Sequence, residues 1–314
     1  MINPKITGNY LSLKPLVNFA AAGSGPVDWR DYFGRKAKLE VEIGFGLGDF
    51  LVRNAGGRAD TDFVGIESGW PLIKRALRKI GIARLTNVRL LLRDARIALR
   101  LSFREKSVSV IYALFPCPWP KKRHARHRLF DKDFFKILNS RLTDDGFILI
   151  VTDHEGYFGW LQSQVSGTGF LCNTEKIGPQ FDTKYERKWN SNGKELFHKL
   201  HLVKERHISL PQGQEITLIS RTAASFDPER FHPTGLRGHF MIETKDFLYD
   251  EKQKRAMLRL VISEDDLLQD IWIEIQKQER GWQIKPARGC GFIPTKGMQA
   301  AMDHVKVIAE ASAI

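Results

Sequence analysis

Three prolines in five residues, Pro116, Pro118 and Pro120 of the run FPCPWP, constrain this chain more than any other stretch. Each locks φ and removes a backbone donor, so the segment forms neither a helix nor the middle of a sheet. The apolar run before it, Val108–Phe115, reads as a buried strand, which puts the prolines in a rigid loop at that strand's C-terminal end. Ligands of open α/β sheets bind along that edge. Five cations follow within eight positions, Lys121, Lys122, Arg123, Arg126 and Arg128, with His124 and His127 between them. Most such runs are solvated loops. Three prolines and Trp119 crowded beside the charge favour a loop that holds a polyanion.

The rest of the first two thirds repeats one grammar. Leu39–Ile43 reads as a strand, GFGLG as a turn, and DFLVRNA as a helix. Phe63–Glu67 is a second strand, followed by a helix over Pro71–Lys79 with Pro in its first turn. Val88–Leu92 is a third strand and Val108–Phe115 a fourth. Phe134–Leu142 reads as helix, Asp144-Asp145-Gly146 as a turn, Phe147–Thr152 as strand, Tyr157–Val165 as helix and Glu195–Lys204 as a closing strand. This alternation predicts a doubly wound, mostly parallel sheet of the α/β class. Residues 1–36 read as an irregular, locally ordered lead-in, broken by the GSGP at 23–26.

After about Arg206 the pattern changes. Gly238–Tyr249, Arg255–Ser263 and Ile271–Gln278 alternate like antiparallel strands, Gly281–Lys285 adds a short one, and about Thr295–Ala311 reads as a helix. The expectation is two domains, 1–206 and a small α+β module at 207–314. Charge divides the same way. The formal net charge of +13 arises in residues 1–206, with 35 Lys and Arg against 21 Asp and Glu; residues 207–314 carry 14 against 15. A basic excess confined to the first part points to a nucleic-acid partner there. No apolar run approaches the roughly 18 residues of a membrane span, and the N-terminus lacks a signal-peptide core. Cys117, Cys172 and Cys290 are odd in number and match no metal-ligand spacing, so a reduced, cytoplasmic setting without a metal is expected. Nothing in the chain reads out an oligomeric state.

Gly44-Phe45-Gly46-Leu47-Gly48 lies between the first strand and the first helix, where glycines let a ligand approach the backbone. Its spacing departs from the dinucleotide fingerprint. Glu42 precedes it and Asp49 follows, a poor cradle for phosphate but a suitable one for the ammonium and sulfonium of S-adenosylmethionine. Glu67 ends the second strand, placed for ribose hydroxyls, and Asp94 ends the third, placed for an adenine amino group. A lone acid at a strand end is more often a helix cap. Three in succession beside a glycine loop indicate a Rossmann-like class I methyltransferase.

Together these residues resemble the bacterial tRNA (guanine-N7)-methyltransferase family. The matching segments are LEVEIGFGLGDFL, FVGIESGW, NVRLLLRDA, FPCPWPKKRHARHRL, ILIVTDHEGY and TKYERKW, from about Leu39 to Trp189. The resemblance implies S-adenosylmethionine as cofactor, tRNA as partner, and in-line methyl transfer to N7 of the variable-loop guanine. It implies cofactor contacts at Glu42, Glu67 and Asp94, with Gly44, Gly46 and Gly48 beside them. It implies substrate contacts at Lys121, Asp153, Thr183, Lys184, Tyr185 and Glu186; the basic run adds Lys122, Arg123 and Arg126. Taken alone, Asp153 reads as a helix N-cap and Thr183–Glu186 as a polar loop.

One departure concerns the chemistry. The family's loop reads Phe-Pro-Asp-Pro-Trp, and its Asp is assigned to cofactor binding and catalysis; Cys117 stands there instead. Guanine N7 carries a free lone pair, so the transfer needs no base. A Cys117 thiolate favoured by nearby Lys121 and Arg123, or else Asp153 or Glu155, is the expected partial substitute for the missing negative charge; a buried, inert cysteine is the bland alternative. A competing reading is a weak or inactive RNA-binding protein with the same fold, which Cys117 favours and the intact acids oppose. A third is a methyltransferase for a small molecule or protein, which the basic run opposes.

Overall fold

Five of the six residues of strand β1 (Lys38–Ile43) are buried, although Glu40 and Glu42 alternate with its apolar side chains. Such continuous burial belongs to a central strand with parallel neighbours on both edges and cover on both faces. β1 pairs in parallel with β2 (Thr61–Glu67) on one side and β4 (Val108–Leu114) on the other. Glu40 tolerates burial because the Arg58 guanidinium reaches it at 2.7 Å.

The structure, a computed structural model, describes residues 11–17, 26–191, 193, 195–210, 216–264, 267–288 and 292–313. Cys290, GSGP up to residue 25 and residues 1–10 of the lead-in lie outside these, as does the side chain of Lys122. The described chain divides into two compact units, residues 11–17 with 26–210, and residues 216–313.

In the first unit the short helix α1 (Trp29–Phe33) precedes β1; α2 (Asp49–Gly57), β2, α3 (Trp70–Ile82), β3 (Val88–Leu92), α4 (Ala95–Ser102) and β4 follow. After the proline loop come α5 (Lys132–Arg141), β5 (Leu142–Thr152), α6 (Glu155–Val165), β6 (Phe170–Ile177), α7 (Lys184–Ser191) and β7 (Phe197–Lys204). The sheet order is β3-β2-β1-β4-β5-β7-β6, parallel through β5 and antiparallel for the last two strands. This is a doubly wound, Rossmann-like sheet. Its strand order reverses between β1 and β4, the switch point at which such sheets bind ligands. The glycine loop leaves β1 and the proline loop leaves β4, so both predicted loops flank that point.

Several local expectations change. Asp144-Asp145-Gly146 is a bulge inside β5: the pairing with β4 jumps from Val108↔Leu142 to Val110↔Phe147, and the two aspartates are exposed. A Cβ on Gly146 would come within 3.0 Å of the Ser109 and Thr143 carbonyl oxygens, which explains the glycine. The basic half of the proline stretch is not extended loop; Lys122–His127 winds into a 3-10 helix once the last proline is past. Helices α1, α4 and α7 and strand β6 add elements that the apolar pattern left unread. Leu16 forms a parallel bridge with Leu90, so part of the lead-in lies along the β3 edge.

The second unit is an antiparallel sheet, ordered β8-β13-β12-β11-β10-β9, of β8 (Arg221–Ala223), β9 (Leu236–Arg237), β10 (Met241–Asp250), β11 (Arg255–Glu264), β12 (Leu267–Gln278) and β13 (Gly281–Pro286). Helix α8 (Lys296–Ala311) follows, capped by Thr295 through the Met298 amide at 3.1 Å. Ala256, Leu258, Leu260, Ile262, Ile271, Ile273, Ile275 and Ile284 form its core with Met298, Met302 and Val305 of α8. The helix therefore covers one face of the sheet and leaves the other open. Strands β8 and β9 are too short for an alternation signal.

Candidate active site

Gly44 and Gly46 adopt left-handed φ values of 68° and 56°, which disfavour any residue with a Cβ. A Cβ built on either finds only open space, so their bareness faces a cleft. The loop is held from below: the Gly44 amide donates to the Ile66 carbonyl at 2.8 Å, and the Gly46 amide to Glu67 Oε2 at 3.2 Å. Glu67 Oε1 accepts from the amides of Ser68 and Gly69 at 2.9 and 3.2 Å. One carboxylate thereby ties the glycine loop to the start of α3, while its outer lone pairs remain at the cleft.

Glu42 has a different environment. It is buried, and its Oε2 has no hydrogen-bond partner. Burial, with the Asp49 and Glu67 charges added and Arg53 opposing, pushes its carboxyl up to about 8. An unpartnered buried acceptor next to two bare glycines fits a cationic ligand group, which would restore the charged form. The residues present therefore fit S-adenosylmethionine: Glu42 for its ammonium, Glu67 and Asp94 for its nucleoside end.

Two depressions meet at Gly44. The first, of about 230 Å³, is lined by Gly44, Glu67, Asp94, Pro116, Cys117, Trp119, His127 and Tyr157, with Arg93 also on its wall. The second, of about 70 Å³, is lined by Glu42, Gly44, Gly46, Asp49, Thr183, Lys184 and Tyr185. The structure thus brings the three strand-end acids, the glycine loop and Cys117 around one edge. Asp94 is a helix cap, as the bland reading had it: its Oδ1 accepts from the Arg96 and Ile97 amides at 2.8 and 3.2 Å, and it also lines the larger depression. Asp153 follows β5, half-buried, and lines neither depression. It is not the cap of α6; His154 is, accepting the Tyr157 amide on Nδ1 at 3.1 Å.

The proline loop is strained and braced. Phe115 and Trp119 sit at φ 57° and 43°, left-handed values that cost non-glycine residues on the order of 1–3 kcal/mol. Arg128 braces it from within: its guanidinium donates to the Pro118 carbonyl at 3.0 Å and lies 4.9 Å from the Trp160 ring centroid. The fifth cation of the run therefore turns inward. Lys121, Arg123 and Arg126 are exposed. Cys117 is an exposed free thiol, not a buried one.

The segment after β6 was the least legible part of the site. Thr183 caps α7, its Oγ1 accepting the Glu186 amide at 3.1 Å. Glu186 is buried, and its carboxylate accepts from the Gln180 and Phe181 amides at 2.7 and 2.8 Å. In this arrangement its carboxylate shapes the loop from within. Thr-x-x-Glu is a capping-box spacing that would have announced this helix. Arg187 then bridges Asp182 and Asp49 at 2.7 Å each, and Lys79 also pairs with Asp49. Burial acts to raise the Asp49 carboxyl, but the Lys79 and Arg187 hydrogen bonds outweigh it and hold it below the usual range. Glu186→Gln should keep the fold yet loosen residues 180–187, lowering cofactor affinity about tenfold; equilibrium binding checks this, and unchanged affinity would show that the loop is not part of the cofactor wall.

Sequence reading also missed Trp119, His127, Arg93 and Tyr157 as lining residues. Burial pushes the Arg93 guanidinium down to about 10 and raises the Tyr157 phenol, whose oxygen is buried without a hydrogen-bond partner. Among the described residues no group of three or more His, Cys, Asp or Glu could hold a metal, and no helix is long and apolar enough to cross a membrane.

Comparison with known proteins identifies the family. Residues 36–199, just over half of the chain, match the family profile described as "Putative methyltransferase". The tRNA (guanine-N(7)-)-methyltransferase of Chlorobium phaeobacteroides is 41% identical over 170 residues, covering 54% of this chain and 83% of that protein. The protein of the same name from Thermus thermophilus is 32% identical over 281 residues, covering 88% of this chain and 90% of its own. The chain belongs to the tRNA (guanine-N7)-methyltransferase family. A third relative of that name, from Coprothermobacter proteolyticus, is 31% identical over 284 residues and covers 86% of each chain. The two longer matches exceed the first unit, so the likeness to this family extends past the first two thirds into the second unit.

Proposed function

We propose that this chain transfers a methyl group from S-adenosylmethionine to N7 of the variable-loop guanine of tRNA. The observation that carries the reading is Glu42: a buried carboxyl whose Oε2 has no hydrogen-bond partner, beside bare glycines at the strand-order switch point that the proline loop also flanks. When bound, S-adenosylmethionine supplies an electrophilic methyl group on a sulfonium. Glu42 takes its ammonium, Glu67 its ribose hydroxyls and Asp94 its adenine amino group. Gly44, Gly46 and Gly48 let the backbone approach it.

Lys121, Arg123 and Arg126, with Lys122 between them, hold tRNA phosphates so that the guanine ring meets the cleft at Cys117. Thr183, Lys184 and Tyr185 close the opposite wall. Because N7 carries a lone pair, these residues need only align the two reactants and tolerate the positive charge shared onto the base. Alignment alone is worth several kcal/mol. Cys117, on the proline loop after β4, and Asp153, after β5, are the candidates to supply negative charge as the base gains positive charge. Residues 1–206 are the methyltransferase domain and 207–314 an accessory module, acting in the cytoplasm.

A methyl-transfer assay on unmodified tRNA tests the reading. Protein that binds both ligands yet transfers nothing would favour the inactive RNA-binding alternative. Salt dependence tests the grip. With Arg128 turned inward, four cations of the run remain, so they should contribute about −2.8 to −3.6 to the slope of log K against log salt. Neutralising all four should remove most of that contribution, and an unchanged slope would place the RNA elsewhere.

A further inference from the structure

The second unit is nearly balanced in acidic and basic residues, yet its open sheet face separates them. On that face Arg259 of β11 is fully paired, donating to Asp270 at 2.6 and 2.8 Å and to Asp246 at 2.9 Å. Lys245 pairs with Glu243 at 2.6 Å. Around a groove of about 430 Å³ on the same face the pattern differs: Arg255, Lys285 and Arg288 line it against a single carboxylate, Glu274. Among the described residues none of these three cations forms an ion pair, and Glu274 can neutralise at most one of them. Strand register sets this arrangement. Lys285 stands opposite Glu274, and Gln276 stands between Arg255 and Gln283 across three neighbouring strands. Lys285 is steadied by the Gln283 amide oxygen at 3.1 Å, and Arg288 is exposed just past the end of β13.

Two half-buried cations and one exposed, all without an ion-pair partner among the described residues and lying beside Gln278, form a site for anionic oxygens spread along a chain; the Gln276 amide donates to the Gln253 carbonyl at 2.9 Å. A site for one compact anion would enclose it, whereas this groove is open along the sheet. We propose that this groove binds the phosphodiester backbone of tRNA, giving the second unit a share in substrate binding. The inference rests on the proposed methyl transfer to tRNA. It assigns a role to a module whose overall charge balance conceals one.

The test uses the full-length chain and unmodified tRNA, with the salt dependence of binding measured for wild type and for Arg255→Gln/Lys285→Gln/Arg288→Gln. The slope should shrink by about 2–3, roughly one per lost phosphate contact, and affinity near 0.1 M salt should fall about tenfold or more, with S-adenosylmethionine affinity unchanged. Arg288→Glu, beyond the last strand and outside the sheet's hydrogen bonding, should weaken tRNA binding in a protein whose melting is unaltered. That second variant keeps the test valid if the triple variant misfolds. Competition by inorganic phosphate at constant ionic strength is the other arm. Indifference to phosphate is expected of a backbone grip; saturation at millimolar phosphate would overturn the RNA assignment in favour of a small-anion site. A wild type that methylates tRNA alongside variants with unchanged slope and affinity overturns the groove alone. A wild type that neither binds nor methylates tRNA overturns the functional reading beneath it.

Discussion

Glu42→Gln is expected to abolish measurable S-adenosylmethionine binding while making the free protein more stable at alkaline pH. Both effects have one origin. The carboxyl is buried and pushed up to about 8, against an ordinary value of 4.5. Between those values the unfolded chain releases the Glu42 proton and the folded chain keeps it, so stability falls as pH rises from about 4.5 to 8. Above 8 the penalty is complete, at most about 5 kcal/mol for a shift of this size. Glutamine carries no such penalty. The variant should melt on the order of 10 °C above wild type at pH 9 and close to it at pH 5. Binding moves the other way, because a ligand ammonium needs the carboxylate. Losing one partner of a buried charge pair costs about 3–5 kcal/mol, or at least a hundredfold in affinity. Calorimetry and thermal denaturation across pH read both quantities. Normal cofactor affinity in the variant would remove Glu42 from the cofactor site.

Cys117→Asp is expected to raise the rate of methyl transfer about a hundredfold or more. The position is exposed and lines the depression shared with Glu67, Asp94 and Tyr157. A carboxylate there would balance the positive charge that the accepting base acquires. One preorganised charged or dipolar group is worth about 3–4 kcal/mol in comparable settings. It would also give the Tyr157 hydroxyl an acceptor, which that buried oxygen lacks. Adding Tyr157→Phe should therefore reduce the gain. Cys117→Ser separates the alternatives: a sharp fall in rate would mean that the native thiol already contributes charge, and a rate equal to wild type would mean that it does not. If aspartate brings no increase, residue 117 does not limit turnover.

What could be read from sequence was whatever a single residue type enforces locally. Pro116, Pro118 and Pro120 leave the backbone few options, and Gly44 and Gly46 mark left-handed positions that other residues avoid. The buried strands announced themselves by short, mostly apolar runs between turn signals, even where a polar residue interrupts the run, as Glu40 and Glu42 do in β1. What escaped depends on partners distant in sequence. Arg128 looked like its four neighbours, but Trp160 and the Pro118 carbonyl draw it inward. Glu186 looked like a surface acid until the Gln180 and Phe181 amides enclosed it. His154 takes the cap that Asp153 was expected to supply. The bulge at 143–146 arises from pairing with β4, and the cationic groove from the register of β11, β12 and β13, neither of which composition records.

The most direct test of the central claim is to incubate purified protein with S-adenosylmethionine and unmodified tRNA, then map the methylated nucleotide by nuclease digestion and mass spectrometry. One N7-methylguanine in the variable loop is the predicted result. A methyl group on another atom or nucleotide, or none under conditions where both ligands bind, would contradict it.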